Sequence, residues 1–231
     1  MPKPALIYAW TIIAIGTLVA VTSALLCQPT NAPAFWICLG LAALASTFKV
    51  KLPGFDSSIS PSFVFQLVAA GQFTGPETIA VGMISALVQS LWKRNTKPTF
   101  VQVAFNVSTL AISSGMAYAL AHHRTTEETS AMGSTLMLGV AGLVLLVVNT
   151  LMVSVILCLL QNTPIHLAWR SLQFWAFPYY LAGGVLASVW VDVMRRPGAT
   201  FSVLAAVSVY LLSICYREAM QRVNTCCEAQ T

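Results

Sequence analysis

Residues 134–160 read Ser134-Thr135-Leu136-Met137-Leu138-Gly139-Val140-Ala141-Gly142-Leu143-Val144-Leu145-Leu146-Val147-Val148-Asn149-Thr150-Leu151-Met152-Val153-Ser154-Val155-Ile156-Leu157-Cys158-Leu159-Leu160, without one charged side chain. As a helix rising about 1.5 Å per residue, such a run exceeds the roughly 30 Å hydrocarbon core of a bilayer. The rest of the chain follows suit: 57% of the 231 residues are hydrophobic and 8% charged, where a water-soluble domain carries about 25% charged residues. Twelve Lys/Arg and seven Asp/Glu would leave most of a globule this size apolar on its outside, so a water-soluble fold is excluded. The apolar residues come in long blocks rather than in alternating ten-residue segments, which selects helices over barrel strands. The expected fold class is all-α: a polytopic integral membrane helical bundle.

Working outward, apolar runs cover 5–26, 33–48, 59–74, 77–92, 99–121, 134–160, 165–191 and 200–216, which makes eight candidate spans, with six or seven as the alternatives. The third and fourth runs are short and meet at Thr74-Gly75-Pro76-Glu77, a helix stop followed by Pro at the start of the next helix. A re-entrant hairpin competes with two true spans here; a helix over 57–74 reaches about 27 Å, close to the bilayer core. With eight spans and the amino terminus in the cytoplasm, Lys3, Lys49, Lys51, Lys93, Arg94, Lys97, Arg170, Arg217 and Arg222 face inward, and Arg124, Arg195 and Arg196 outward. That distribution obeys the positive-inside rule, and the reverse orientation violates it. The expected organisation is a single bundle over 1–216 and a cytoplasmic helical tail over 217–231, in a bacterial cytoplasmic (inner) membrane with both termini inside.

The net charge of +5 is scattered among loops, so topology accounts for it and no nucleic-acid partner is expected. The first apolar run, about 22 residues, is longer than a signal-peptide core and reads as a retained span. Leu26 precedes Cys27 where a lipoprotein site needs a small residue, so lipidation is not expected. The six cysteines show no C-x-x-C spacing, and no disulfide framework is expected; a Cys27–Cys38 bridge near the outer membrane surface is the minor alternative. The His122-His123 pair with Arg124, Glu127 and Glu128 reads as a polar loop, and no metal or cofactor is expected. Asp192 with Arg195 and Arg196 reads as a local ion pair, and Glu77 as a carboxylate favoured at a helix amino terminus.

Polar side chains within the runs mark the faces turned inward, because amides and hydroxyls in hydrocarbon need partners. Gln102, Asn106, Thr109 and Ser113 share one helical face, as do Thr78, Gly82, Ser85 and Gln89. Ser62 and Gln66 lie one turn apart, and Asn149-Thr150 interrupt the Leu/Val-rich sixth run. Such groups either bond across helices, at roughly 0.6 kcal/mol per contact, or line a cavity. In the seventh run Trp175, Tyr179 and Tyr180 surround Pro178, ahead of Gly183-Gly184; Pro removes a helical hydrogen bond and predicts a kink, and the glycines admit a close neighbour. The expected ligand-binding set is Gln66, Gln89, Gln102, Asn106, Asn149, Trp175, Tyr179 and Tyr180, suited to a small, largely neutral amphiphile of vitamin-like or quinone-like character. No H-E-x-x-H, no G-x-S-x-G and no spaced Asp cluster occurs, so no enzyme activity is expected. Span centres lack the ionisable residues of ion-coupled transport.

Leu52-Pro53-Gly54 through Ser60-Pro61-Ser62-Phe63-Val64-Phe65, Phe105-Asn106-Val107-Ser108, Val148-Asn149-Thr150-Leu151, Phe174-Trp175 and Pro178-Tyr179-Tyr180-Leu181-Ala182-Gly183 occur in this order. Over about residues 35–190 the pattern resembles the multispan amino-terminal sensor modules of bacterial signalling proteins, which precede a GGDEF cyclase or HD-GYP phosphodiesterase domain. More distantly it is similar to the substrate-binding membrane subunits of energy-coupling-factor vitamin transporters. No Gly-Gly-Asp/Glu-Glu-Phe run and no His-Asp pair occurs in the 231 residues. The resemblance therefore implies a sensory or ligand-binding module without catalysis of its own, coupled to a membrane or cytoplasmic protein partner. A structural or scaffold subunit of a membrane complex, or the substrate-binding component of a vitamin-type transporter, is the alternative.

Overall fold

A computed structural model describes residues 2–26, 32–51, 58–92, 98–122, 131–161 and 165–194, together with Tyr210, Ile214, Tyr216, Arg217, Glu218 and Gln221. The elements are α1 (Lys3–Leu25), α2 (Ala32–Ala45), β1 (Val50–Lys51), β2 (Ser58–Ile59), α3 (Ser62–Gln72), α4 (Gly75–Leu91), α5 (Phe100–His122), α6 (Ala131–Gln161) and α7 (Ile165–Met194). Three helical stretches among them, Lys3–Leu25, Phe100–His122 and Leu136–Leu160, are long and apolar enough to cross a membrane; Pro33–Ala45, Ser62–Gln72 and Ala176–Val191 are shorter apolar stretches. The last apolar run of the sequence, 200–216, falls largely outside the described residues.

The helices pack through small residues. Ala5, Ala9, Ile12 and Gly16 are the buried positions of α1, one helical stripe, and Gly16 lies so near Ser108 of α5 that a side chain there would meet it. Around the rest of α1, Leu6, Ile7, Trp10, Ile15, Leu18, Val21 and Leu25 are exposed, as befits a helix whose outer surroundings are lipid rather than water. Tyr8 ties the same helix to α6, its hydroxyl donating to the Met152 carbonyl at 3.3 Å. On α4 and α5, Gly75 abuts Tyr118, Gly82 abuts Ser114 and the Leu110 carbonyl, and Ser90 meets Asn106. Positions rising on one helix match positions falling on the other, so the two form an antiparallel hairpin.

The third apolar run departs from expectation. Its helix covers 11 residues, about 16 Å of rise, rather than the full run. Both ends have local causes. Ser58 and Ile59 are taken up by an antiparallel ladder, Ile59 opposite Val50 and Ser58 opposite Lys51, and Pro61, with no N–H to give, stands at the helix entrance. At the far end Phe73 is extended, with φ −114° and ψ 177°, before Gly75 and Pro76 open α4. Glu77 then accepts hydrogen bonds at one carboxylate oxygen from the Thr74 N–H (2.9 Å) and the Thr74 hydroxyl (2.8 Å), closing the turn by a capping box. Behind it, the Lys49 ammonium donates to the Trp92 carbonyl at 2.6 Å and caps the carboxyl end of α4.

Although short, α3 is the centre of the bundle. Residues 60–70 are all buried, and the helix touches α2, α4, α5, α6 and α7. Its start meets Tyr179, Tyr180 and Gly183 of α7 through Phe63, while at its end the Gln72 amide donates to the Val191 carbonyl at 3.0 Å. The two helices therefore run parallel. On α7 the buried positions Ala176, Tyr179, Tyr180, Ala187, Trp190 and Val191 face α3, and Phe177, Leu181, Val185 and Val189 form an exposed stripe one turn apart.

Candidate functional site

Two seams carry the polar and aromatic residues singled out in the sequence. In the first, between α3, α4 and α5, the Ser114 hydroxyl donates to the Gln66 side-chain carbonyl at 3.4 Å, and the Asn106 amide donates to the Ser90 hydroxyl at 3.1 Å. Gln66 is 2% exposed and Asn106 half-buried. Asn106 and Ser114 stand eight residues apart on α5, about 12 Å along the axis, so these are two separate cross-helix bonds and not one polar chamber. Other buried hydroxyls bond back along their own chain: Thr78 to the Thr74 carbonyl, Ser113 to that of Thr109, and on α6 Thr150 to that of Leu146 and Ser154 to that of Thr150. Such back-bonds satisfy a buried hydroxyl without a partner helix.

Three of the five amides expected to line one site, Gln66, Gln102 and Asn106, are engaged separately. Gln102 is exposed at the start of α5; its side-chain carbonyl accepts from the Thr99 N–H at 3.1 Å and the Thr99 hydroxyl accepts from the Gln102 N–H at 3.4 Å. This Thr-x-x-Gln capping box explains the residue by helix initiation. Gln89 and Asn149 are half-buried on α4 and α6. Ser90 and Ser114 were passed over in the sequence because serine spacing alone does not distinguish a cross-helix partner from a self-bonded hydroxyl.

The second seam, between α3 and α7, is aromatic. Phe63 stacks on Tyr180 with ring centroids 4.1 Å apart and packs tilted on Tyr179 at 5.2 Å. Tyr179 stacks in turn on Tyr216 of the carboxyl-terminal segment at 4.4 Å, and Phe65 meets Trp190 edge-on at 5.2 Å. Gly183 makes the approach possible, since a Cβ at that position would coincide with the Phe63 ring. The Trp175 side chain lies outside the described residues. Trp190 escaped the sequence reading, although it sits three turns beyond Tyr179 on the same face.

The seams differ in their hydrogen bonding. Among the described residues, the buried side-chain atoms without a partner are Ser85 Oγ, Trp169 Nε1, Tyr179 OH and Trp190 Nε1, three of them on α7. Tyr179 is 1% exposed and Trp190 3%. Buried polar groups are bonded in the great majority of cases, so each orphan asks for a reason. Among the described residues no three His, Cys, Asp or Glu side chains come together; His123, Glu127 and Glu128 lie outside them. Cys38 is a buried free thiol whose Sγ lies 3.7 Å from the Phe65 carbonyl it donates to, and its suggested partner Cys27 lies outside the described residues. No protein-family model, curated protein or solved structure matches the chain.

Proposed function

We propose that this chain is a non-catalytic membrane module that binds a small, neutral amphiphile in the seam between α3 and α7 and serves a sensory role through a membrane or cytoplasmic protein partner. The observation that carries the reading is the Tyr179 hydroxyl, buried among aromatic rings with no protein acceptor. A buried hydroxyl left unpaired costs about 1–3 kcal/mol, a cost that a ligand acceptor removes. Tyr216 adds a link to the last membrane segment of this proposal, because its ring stacks on Tyr179 from the end of the run 200–216. The resemblance to bacterial sensor modules points the same way.

The full arrangement in this proposal is eight membrane segments with both termini in the cytoplasm of a bacterial inner membrane. The third is a short buried element rather than a lipid-exposed span, as its 11 residues and the burial of Ser62 through Ala70 favour. Reporter fusions after residues 96 and 164 are then expected to read cytoplasmic and one at residue 127 external; a cytoplasmic signal at 127 removes this topology. Native mass spectrometry of protein released from membranes in mild detergent tests the binding itself. A retained small organic adduct is expected, and phospholipid adducts alone would favour the second reading, a scaffold subunit. That alternative draws on the Gln66–Ser114 and Asn106–Ser90 bonds, which lock helices together.

A further inference from the structure

Three unpartnered polar atoms of α7, the Tyr179 hydroxyl and the indole nitrogens of Trp169 and Trp190, share one chemical property. An indole N–H donates and never accepts, and a phenol donates readily. The helix thus presents donors in search of acceptors. The walls at Tyr179 are flat: Phe63 on Tyr180 at an interplanar angle of 26°, and Tyr216 on Tyr179 at 29°. Neither α3 nor residues 176–191 of α7 contains Asp, Glu, Lys, Arg or His, so a charged molecule would stand unpaired in an apolar seam.

We infer that the molecule held at Tyr179 is a neutral, planar, carbonyl-bearing compound of the quinone class, whose carbonyl oxygen accepts the Tyr179 hydrogen bond while its ring takes the stacking position held by Tyr216. The inference rests on the binding function proposed above and adds the ligand's chemistry to it. An aliphatic amphiphile would not exploit the stacked faces, and a hydrocarbon would leave the hydroxyl unpaired.

The test uses the full chain in lipid nanodiscs and equilibrium dialysis against two probes of equal shape, duroquinone and its hydrocarbon counterpart durene, with empty nanodiscs to subtract partition into lipid. Duroquinone is fully substituted, so cysteine thiols do not add to it. The wild-type chain is expected to bind duroquinone more tightly than durene. Tyr179→Phe, which keeps the ring and removes the hydroxyl, is expected to weaken duroquinone binding about tenfold, the equivalent of roughly 1.4 kcal/mol, and to leave durene binding unchanged. Tyr216→Ala, which clears the competing ring, is expected to strengthen duroquinone binding. Equal binding of the two probes, or duroquinone binding indifferent to Tyr179→Phe, overturns the quinone assignment and leaves the ligand-binding function standing. Binding of neither probe, together with no native adduct, overturns both.

Discussion

The α4/α5 hairpin and the α3/α7 pair are both close helix contacts made possible by one glycine, and they use the closeness differently. At Gly82 the space goes to Ser114 and the Leu110 carbonyl, and the neighbouring polar groups end up bonded, Asn106 to Ser90 and Ser114 to Gln66. At Gly183 it goes to the Phe63 ring, and the tyrosine and tryptophan beside it bury donors without acceptors. The first region is built as a polar lock whose cross-helix bonds leave one buried hydroxyl, Ser85 Oγ, without a partner among the described residues. The second carries stored hydrogen-bonding capacity, which is what a binding seam requires and a lock does not. Polar residues in a membrane helix are thus no guide to a site until their partners are known.

Substitutions at the two glycines have the largest expected effect on this contrast. Gly183→Val drives a branched side chain into a rigid aromatic ring, and Gly82→Val drives one into backbone. Each is expected to lower the thermal unfolding midpoint in detergent, by the equivalent of about 1–3 kcal/mol for overpacking. Gly40, Gly139 and Gly184 have open space at the Cβ position, and alanine at Gly139 or Gly184 is expected to be tolerated. An equal loss for valine at Gly184 and at Gly183 would show that the Phe63 contact does not set the cost.

Smaller, and opposite in sign, is the effect of removing a buried hydroxyl. Tyr179→Phe is expected to leave the unliganded midpoint unchanged or to raise it by up to about 1 kcal/mol, since no protein bond is lost. A clear fall would mean that the hydroxyl has a partner in the membrane and would erase the difference between the seams.

The smallest effect belongs to the polar lock. Gln66→Leu and Asn106→Leu are each expected to cost roughly 0.6 kcal/mol. A double-mutant cycle of Gln66→Leu with Ser114→Ala should give a coupling of that order, and Gln66→Leu with Asn106→Leu close to none, because they belong to different bonds. Strong coupling between Gln66 and Asn106 would restore the single polar chamber.

Class and most element positions were legible in the order of residues alone. A run such as 134–160 has one stable form in hydrocarbon, a helix, since lipid offers its backbone no other partner. The α4 start was equally plain, because Thr74, Pro76 and Glu77 are local capping signals whose physics needs no tertiary partner.

Three other features waited on the tertiary structure, each because it depends on residues far apart in the chain. The length of α3 was decided by Ser58 and Ile59 pairing with Val50 and Lys51, a claim on the backbone that an apolar run does not announce. The separation of the amides was decided by which neighbour each met. Gln102 and Gln66 are the same residue type at inward-looking spacings, yet one caps its own helix and the other crosses to Ser114. The orphan donors of α7 could be recognised only in three dimensions, because an unmade hydrogen bond is a property of the surroundings: Trp190 and Tyr179 are ordinary membrane residues in the sequence, and become exceptional where α3 packs rings against them in place of acceptors.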